Sequence, residues 1–111
     1  MNTEGDFMRK IYTECPVEYT ASLIANKWKI LILRDLLTGT KRYNELTKSI
    51  VGISAKVLTE NLRQLESDGI IARKVYPVIP PKVEYSFTKK GSELKPIFDL
   101  MNEYGNKYKK K

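Results

Sequence analysis

The sequence predicts a mainly α-helical fold that carries one small β-hairpin. Two observations carry that reading. Apolar residues recur at spacings of three and four between residues 16 and 67 and again after residue 88, whereas residues 71–87 switch to a period of two. The breaks agree, because Thr38-Gly39, Gly52 and Asp68-Gly69 fall between the periodic segments. A chain of 111 residues with 41% hydrophobic residues suits a single domain, 1–111, with one core.

Each element has its own signals. Pro16 suits the first position of a helix, with Cys15 before it as cap, and that helix runs to about Ile24, where Ala25-Asn26 breaks it. A second helix, about Lys27 to Leu37, is apolar around much of its girth (Trp28, Ile30, Leu31, Leu33, Leu36), as a buried central helix would be. A short third helix, about Tyr43 to Ile50, turns Leu46 and Ile50 inward. Ser54 caps a fourth that reaches Ser67. Ile71, Arg73 and Val75 then alternate with Ala72, Lys74 and Tyr76, and Val83, Tyr85 and Phe87 with Glu84 and Ser86. Between those strands Pro77-Val78-Ile79-Pro80-Pro81 cannot sustain ladder bonds and forms a stiff connection. A last helix, about 88–109, sets Ile97, Leu100, Met101, Tyr104 and Tyr108 on one stripe.

Composition narrows the function. Twenty Lys and Arg against thirteen Asp and Glu leave +7, which favours an anionic partner. The charge is uneven: residues 1–18 (Glu4, Asp6, Glu14 and Glu18 against Arg9 and Lys10) sum to −2. Residues 38–63 (Lys41, Arg42, Lys48, Lys56 and Arg63 against Glu45 and Glu60) sum to +3. The absence of histidine removes Ser-His and Cys-His catalysis and the usual zinc ligands. One cysteine permits neither an intrachain disulfide nor a multi-cysteine metal site. No cofactor, metal or catalytic group is expected. No apolar run is long enough to cross a bilayer, and the N-terminal residues lack a signal peptide's apolar stretch, so the expectation is a cytoplasmic protein.

Helices followed by a hairpin and a further helix, in this order, describe a winged helix-turn-helix. In that plan the helix 54–67 enters the major groove and the hairpin 71–87 is the wing. Leu58, Leu62 and Leu65 form its buried seam, which turns Lys56, Glu60, Arg63 and Ser67 outward, flanked by Thr59 and Gln64. Arg63 can fork onto guanine or sit on a phosphate, Glu60 can accept from a cytosine amino group, and Ser54 suits a phosphate. The expected DNA contacts are Ser54, Lys56, Val57, Thr59, Glu60, Arg63 and Gln64 on the helix, with Arg73, Lys74 and Lys82 on the wing and Lys41 and Arg42 before it. A merely solvated helix face, and a proline loop that only protects a sheet edge, are the plainer readings of the same residues.

The segments Cys15-Pro16-Val17-Glu18, Lys27-Trp28-Lys29, Tyr43-Asn44-Glu45-Leu46, Gly52-Ile53-Ser54, Lys56-Val57-Leu58-Thr59, Leu62-Arg63-Gln64-Leu65-Glu66 and Asp68-Gly69 resemble the HxlR-type family of bacterial transcriptional regulators. So does Val75-Tyr76-Pro77-Val78-Ile79-Pro80-Pro81-Lys82-Val83-Glu84-Tyr85, and the likeness runs from about Cys15 to Gly91. It implies a MarR-like winged-helix protein binding double-stranded operator DNA as a homodimer through its terminal helices. The stripe Ile97, Leu100, Met101, Tyr104 and Tyr108 suits that role. Ala25-Asn26 stands where the family often has Gly-Gly, Ala55 where glutamine is common, and Lys82 where arginine is common.

The resemblance also marks Cys15 as a candidate redox sensor, since members sense oxidants or electrophiles through a cysteine at this place. The start of a helix favours a thiolate, Glu14 and Glu18 oppose it, and a small buried hydrophobe is the alternative role. The function expected is a dimeric regulator, with repression the commoner outcome, reading an inverted repeat under a small-molecule or oxidant signal. The alternative is a winged-helix protein-interaction or RNA-binding module. No dyad, metal cluster or phosphate loop supports an enzyme.

Overall fold

The computed structural model describes residues 14–110, so Glu4, Asp6, Arg9, Lys10 and the final lysine lie outside the described residues. The order is α1 (Pro16–Ile24), α2 (Lys27–Leu36), β1 (Lys41–Arg42), α3 (Tyr43–Ser49), α4 (Ala55–Ser67), β2 (Ile71–Tyr76), β3 (Lys82–Phe87), α5 (Lys89–Ser92) and α6 (Lys95–Tyr108). This is a winged helix-turn-helix, with α3 and α4 as the motif and β2–β3 as the wing. Pro16 opens α1 as expected, and Cys15 holds the cap position, but its side chain makes no capping bond. Asn26 caps α2, its Oδ1 accepting the Lys29 N–H at 2.8 Å. Ser54 does the same for α4, accepting from Val57 at 3.1 Å. At the other end of α4, Gly69 takes φ +75. That left-handed turn lets the N–H groups of Gly69 and Ile70 return to Glu66 and Leu65 at 3.0 Å each, satisfying carbonyls the helix leaves open.

The leucine seam of α4 is where the sequence put it. Leu58, Leu62 and Leu65 are buried in one cluster with Ile32, Leu33 and Leu36 of α2, Leu46, Ile50, Ile70 and Ile71. The face of α2 differs from expectation. Its buried residues are Lys29, Ile32, Leu33, Asp35 and Leu36, while Trp28, Ile30 and Leu31 are only partly buried against the core. A helix with apolar residues on most sides has several faces it could bury, and packing against α4 chooses one.

Two features depart from the sequence reading. Lys41 and Arg42 form a short strand, giving a three-stranded antiparallel sheet in the order β1-β3-β2. Lys41 pairs with Tyr85 and Arg42 with Glu84, while Arg73 and Lys74 face the same two residues from β2. The expected helix 88–109 is also two helices. Pro96 has no N–H, and its ring would clash with the carbonyl of Ser92 in an unbroken helix, so α6 starts afresh with the proline in its first turn. Leu94 and Phe98 anchor this end in the core.

Candidate nucleic-acid interface

The sequence-predicted reading face is assembled on the surface. Lys56, Glu60, Arg63 and Gln64 of α4 are exposed, and their side chains make no hydrogen bond or ion pair to another described residue. An amphipathic helix with its leucines fixed has to display this ridge. Ser54 Oγ is used as an acceptor by the cap, which leaves its O–H free to donate, together with the amides of Ala55 and Lys56 that no helical carbonyl can reach. Val57 and Thr59 are half-buried, so they flank the ridge and do not crown it. Tyr43 explains the position of Thr59: its hydroxyl lies 3.2 Å from Thr59 Oγ1 and donates to the Ala55 carbonyl at 3.1 Å. The tyrosine is a brace between α3 and the first turns of α4.

The wing is more organised than a row of lysines. Tyr76 donates its O–H to Glu84 Oε1 at 3.0 Å, and Lys82 Nζ lies 3.3 Å from Glu84 Oε2. The ammonium groups of Lys74 and Lys82 sit 4.9 and 4.8 Å from the centroid of the Tyr76 ring. The Tyr76 hydrogen bond, followed by the bond and charge of Lys82 and the charge of Arg42, holds the Glu84 carboxyl below the usual carboxylate range against partial desolvation. One carboxylate and one ring thus tie the strands together and hold three cations of the wing base in place. Sequence reasoning named the cations and missed Tyr76 and Glu84 as their organisers; the cross-strand pairing that joins them is not visible in a single strand's alternation. At the tip Ile79 is fully exposed, flanked by Pro77, Pro80 and Pro81.

Between ridge and wing lies a cleft of about 290 Å³ lined by Thr59, Leu62, Arg63 and Glu66 of α4 and by Arg73 and Tyr85 of the sheet. The stripe on α6 is open: Leu100, Tyr104 and Tyr108 are 66%, 70% and 60% exposed. Ile97 belongs both to the hollow formed with Leu100, Met101 and Tyr104 and to one formed with Pro16, Val17, Thr20, Ala21 and Ile24, so α1 and α6 present one apolar band. Cys15, half-buried and unbridged, stands at the start of α1. Among the described residues no cluster of ligating side chains could hold a metal, and no helix is long and apolar enough to cross a membrane.

The HxlR-like helix-turn-helix family matches residues 23–111. The uncharacterized HTH-type transcriptional regulator sll1512 of Synechocystis sp. is 48% identical over 92 residues, which cover 83% of this chain and 68% of the relative. The uncharacterized HTH-type transcriptional regulator YdeP of Bacillus subtilis is 45% identical over 104 residues, covering 94% and 81%. Among solved structures, the redox regulator HypR in its oxidized form superposes with a TM-score of 0.82 at 43% identity, covering 87% of this chain and all of that one. The first two carry the name of HTH-type transcriptional regulators and the third that of a redox regulator.

Proposed function

Because this chain belongs to the HxlR-like helix-turn-helix family of transcriptional regulators, we propose that it is a cytoplasmic, sequence-specific, dimeric DNA-binding regulator, acting chiefly as a repressor. The observation that carries this reading is the partnerless polar ridge of α4 beside a cationic hairpin. Lys56, Glu60 and Gln64 read base edges in the major groove and Arg63 a guanine edge or a phosphate, with Ser54, Thr59 and Val57 at its margin. Arg73, Lys74, Lys82, Lys41 and Arg42 position the protein on the backbone. The band of Ile97, Leu100, Met101, Tyr104 and Tyr108 with α1 pairs with its copy across a two-fold axis, so the two ridges read an inverted repeat.

Fluorescence anisotropy on a duplex from the upstream region of the protein's own gene tests the DNA face. Arg63→Ala abolishes specific binding and leaves the fold and the dimer intact; unchanged affinity rejects the face. Random duplex or RNA competing as well as that duplex favours the general polymer-binding reading instead. Cys15 is the candidate for the oxidant signal, supported by its place at a helix start and by the likeness to a redox regulator. As the sole cysteine it would pair with Cys15 of a second subunit or with a small thiol. Oxidant then releases the wild type from DNA and not Cys15→Ser; equal release removes Cys15 from the mechanism.

A further inference from the structure

The cleft between α4 and the sheet contains a group that no reading of the chain has assigned. Tyr85 is 8% exposed and lines the cleft, and its hydroxyl makes no hydrogen bond to any described residue. Its hydroxyl is nevertheless not sealed, since Asp35 Oδ2 is the only side-chain polar atom among the described residues that is both fully enclosed and unbonded. A buried phenol with an idle O–H that opens on a cleft is set to donate there. Beside it stand Arg73, its cross-strand partner on the same face of the sheet, and Arg63, one turn along α4 from Thr59. Neither guanidinium has an ion pair within the described residues. Glu66 also lines the cleft, so its formal charge is +1 with two forked cations.

The geometry of duplex DNA says what crosses that gap. When a helix occupies a major groove and the hairpin beside it occupies the adjacent minor groove, one sugar-phosphate strand separates the two and must pass between them. Resting on the DNA-binding reading above, we propose that this cleft is a phosphate clamp, in which Arg63, Arg73 and the Tyr85 hydroxyl hold one phosphodiester of the strand dividing the grooves. Arg63 is then a backbone contact, and Tyr85 is a binding residue hidden inside the sheet. Glu66 weakens the clamp by like charge, which keeps non-specific affinity in check.

The test uses the full chain and a duplex recovered by the wild type from a randomised pool. Tyr85→Phe keeps the ring and removes one neutral donor to a charged acceptor, so Kd rises about tenfold. The slope of log Kd against log salt does not change in this variant. Arg73→Gln lowers that slope by about 0.9, the value for one phosphate released, and weakens all operator variants alike. Glu66→Gln strengthens binding. Replacing single linkages of the duplex by neutral methylphosphonates then finds one position at which the Tyr85→Phe penalty disappears. If Tyr85→Phe binds within twofold of wild type and no linkage is coupled to it, the clamp is wrong while DNA binding stands. If the wild type recovers no duplex, both fall.

Discussion

Asn61 holds α4 in register with α2, and its removal can be worked through from the contacts. Asn61 is 9% exposed; its Oδ1 accepts from Asn26 Nδ2 at 3.1 Å, and its Nδ2 donates to the Val57 carbonyl at 2.7 Å. Asn26 is itself the cap of α2, so one amide pair locks a helix start to the flank of α4. Asn61→Ala removes two hydrogen bonds, each worth about 1 kcal/mol net. Asn26 is exposed and can turn to water, so its loss carries little unpaired-group cost. Alanine's better helix propensity returns about 0.5 kcal/mol. The net loss is about 1.5 kcal/mol, a fall in Tm on the order of 8 °C for a domain of this size. Thermal unfolding at one fixed protomer concentration reads it, which matters if the folded species is a dimer. Asn26→Ala and the double variant complete a cycle whose coupling should exceed about 0.5 kcal/mol. DNA affinity of the folded variant stays near wild type, because Asn61 faces inward. A Tm within a degree of wild type, or strictly additive singles, refutes the lock.

The remaining expectations follow from equally local geometry. A Cβ at Gly91 would lie 1.9 Å from the Ile70 carbonyl oxygen and 2.8 Å from Phe87 Cδ1, so Gly91→Ala must move backbone and costs about 3 kcal/mol or more, read by denaturant melts. The Glu84 carboxyl, with its folded pKa lowered, contributes order to the wing that is complete above the ordinary glutamate range and is lost as pH falls through the lowered value. Carbon NMR should show Glu84 titrating below the ordinary glutamate value, and Tyr76→Phe should move it back up; an unmoved titration rejects the Tyr76 bond as its main cause. Leu100→Asp puts a charge on the apolar band of α6 while leaving Leu94 and Phe98 in place, so sedimentation should find a folded monomer that binds DNA weakly. A dimer of wild-type tightness locates the interface elsewhere.

The helical half of the fold and the exposure of the polar ridge of α4 were legible in the residues for a definite reason. Caps and seams are local: Ser54, Asn26 and Gly69 each act within four residues of themselves, and Leu58, Leu62 and Leu65 fix the phase of α4 with no knowledge of what they pack against. What was not legible depends on partners distant in sequence. β1 exists because Lys41 and Arg42 meet Tyr85 and Glu84, more than forty residues later. The burial of Asp35 and Lys29, and the half-exposure of Trp28, follow from which side of α2 faces α4. The break before α6 is the exception, since it is local and Pro96 announces it in the sequence.

The sheet also sorts charges that the sequence could only collect. Side chains alternate faces along a strand and directly paired residues share one, so the register makes two rows across three strands. Lys41, Tyr85 and Arg73 form one row, and Arg42, Glu84 and Lys74 form the other. In the second row the carboxylate sits between two cations and, with Tyr76 and Lys82, spends its charge on stiffening the wing. In the first the central residue is a phenol whose hydroxyl bonds to no described residue, and the arginine beside it has no ion pair among the described residues. Cations of equal sign and similar place in the chain therefore have different neighbours: Arg42, Lys74 and Lys82 gather around one carboxylate and one ring, whereas Lys41 and Arg73 are paired across the sheet with the phenol of Tyr85.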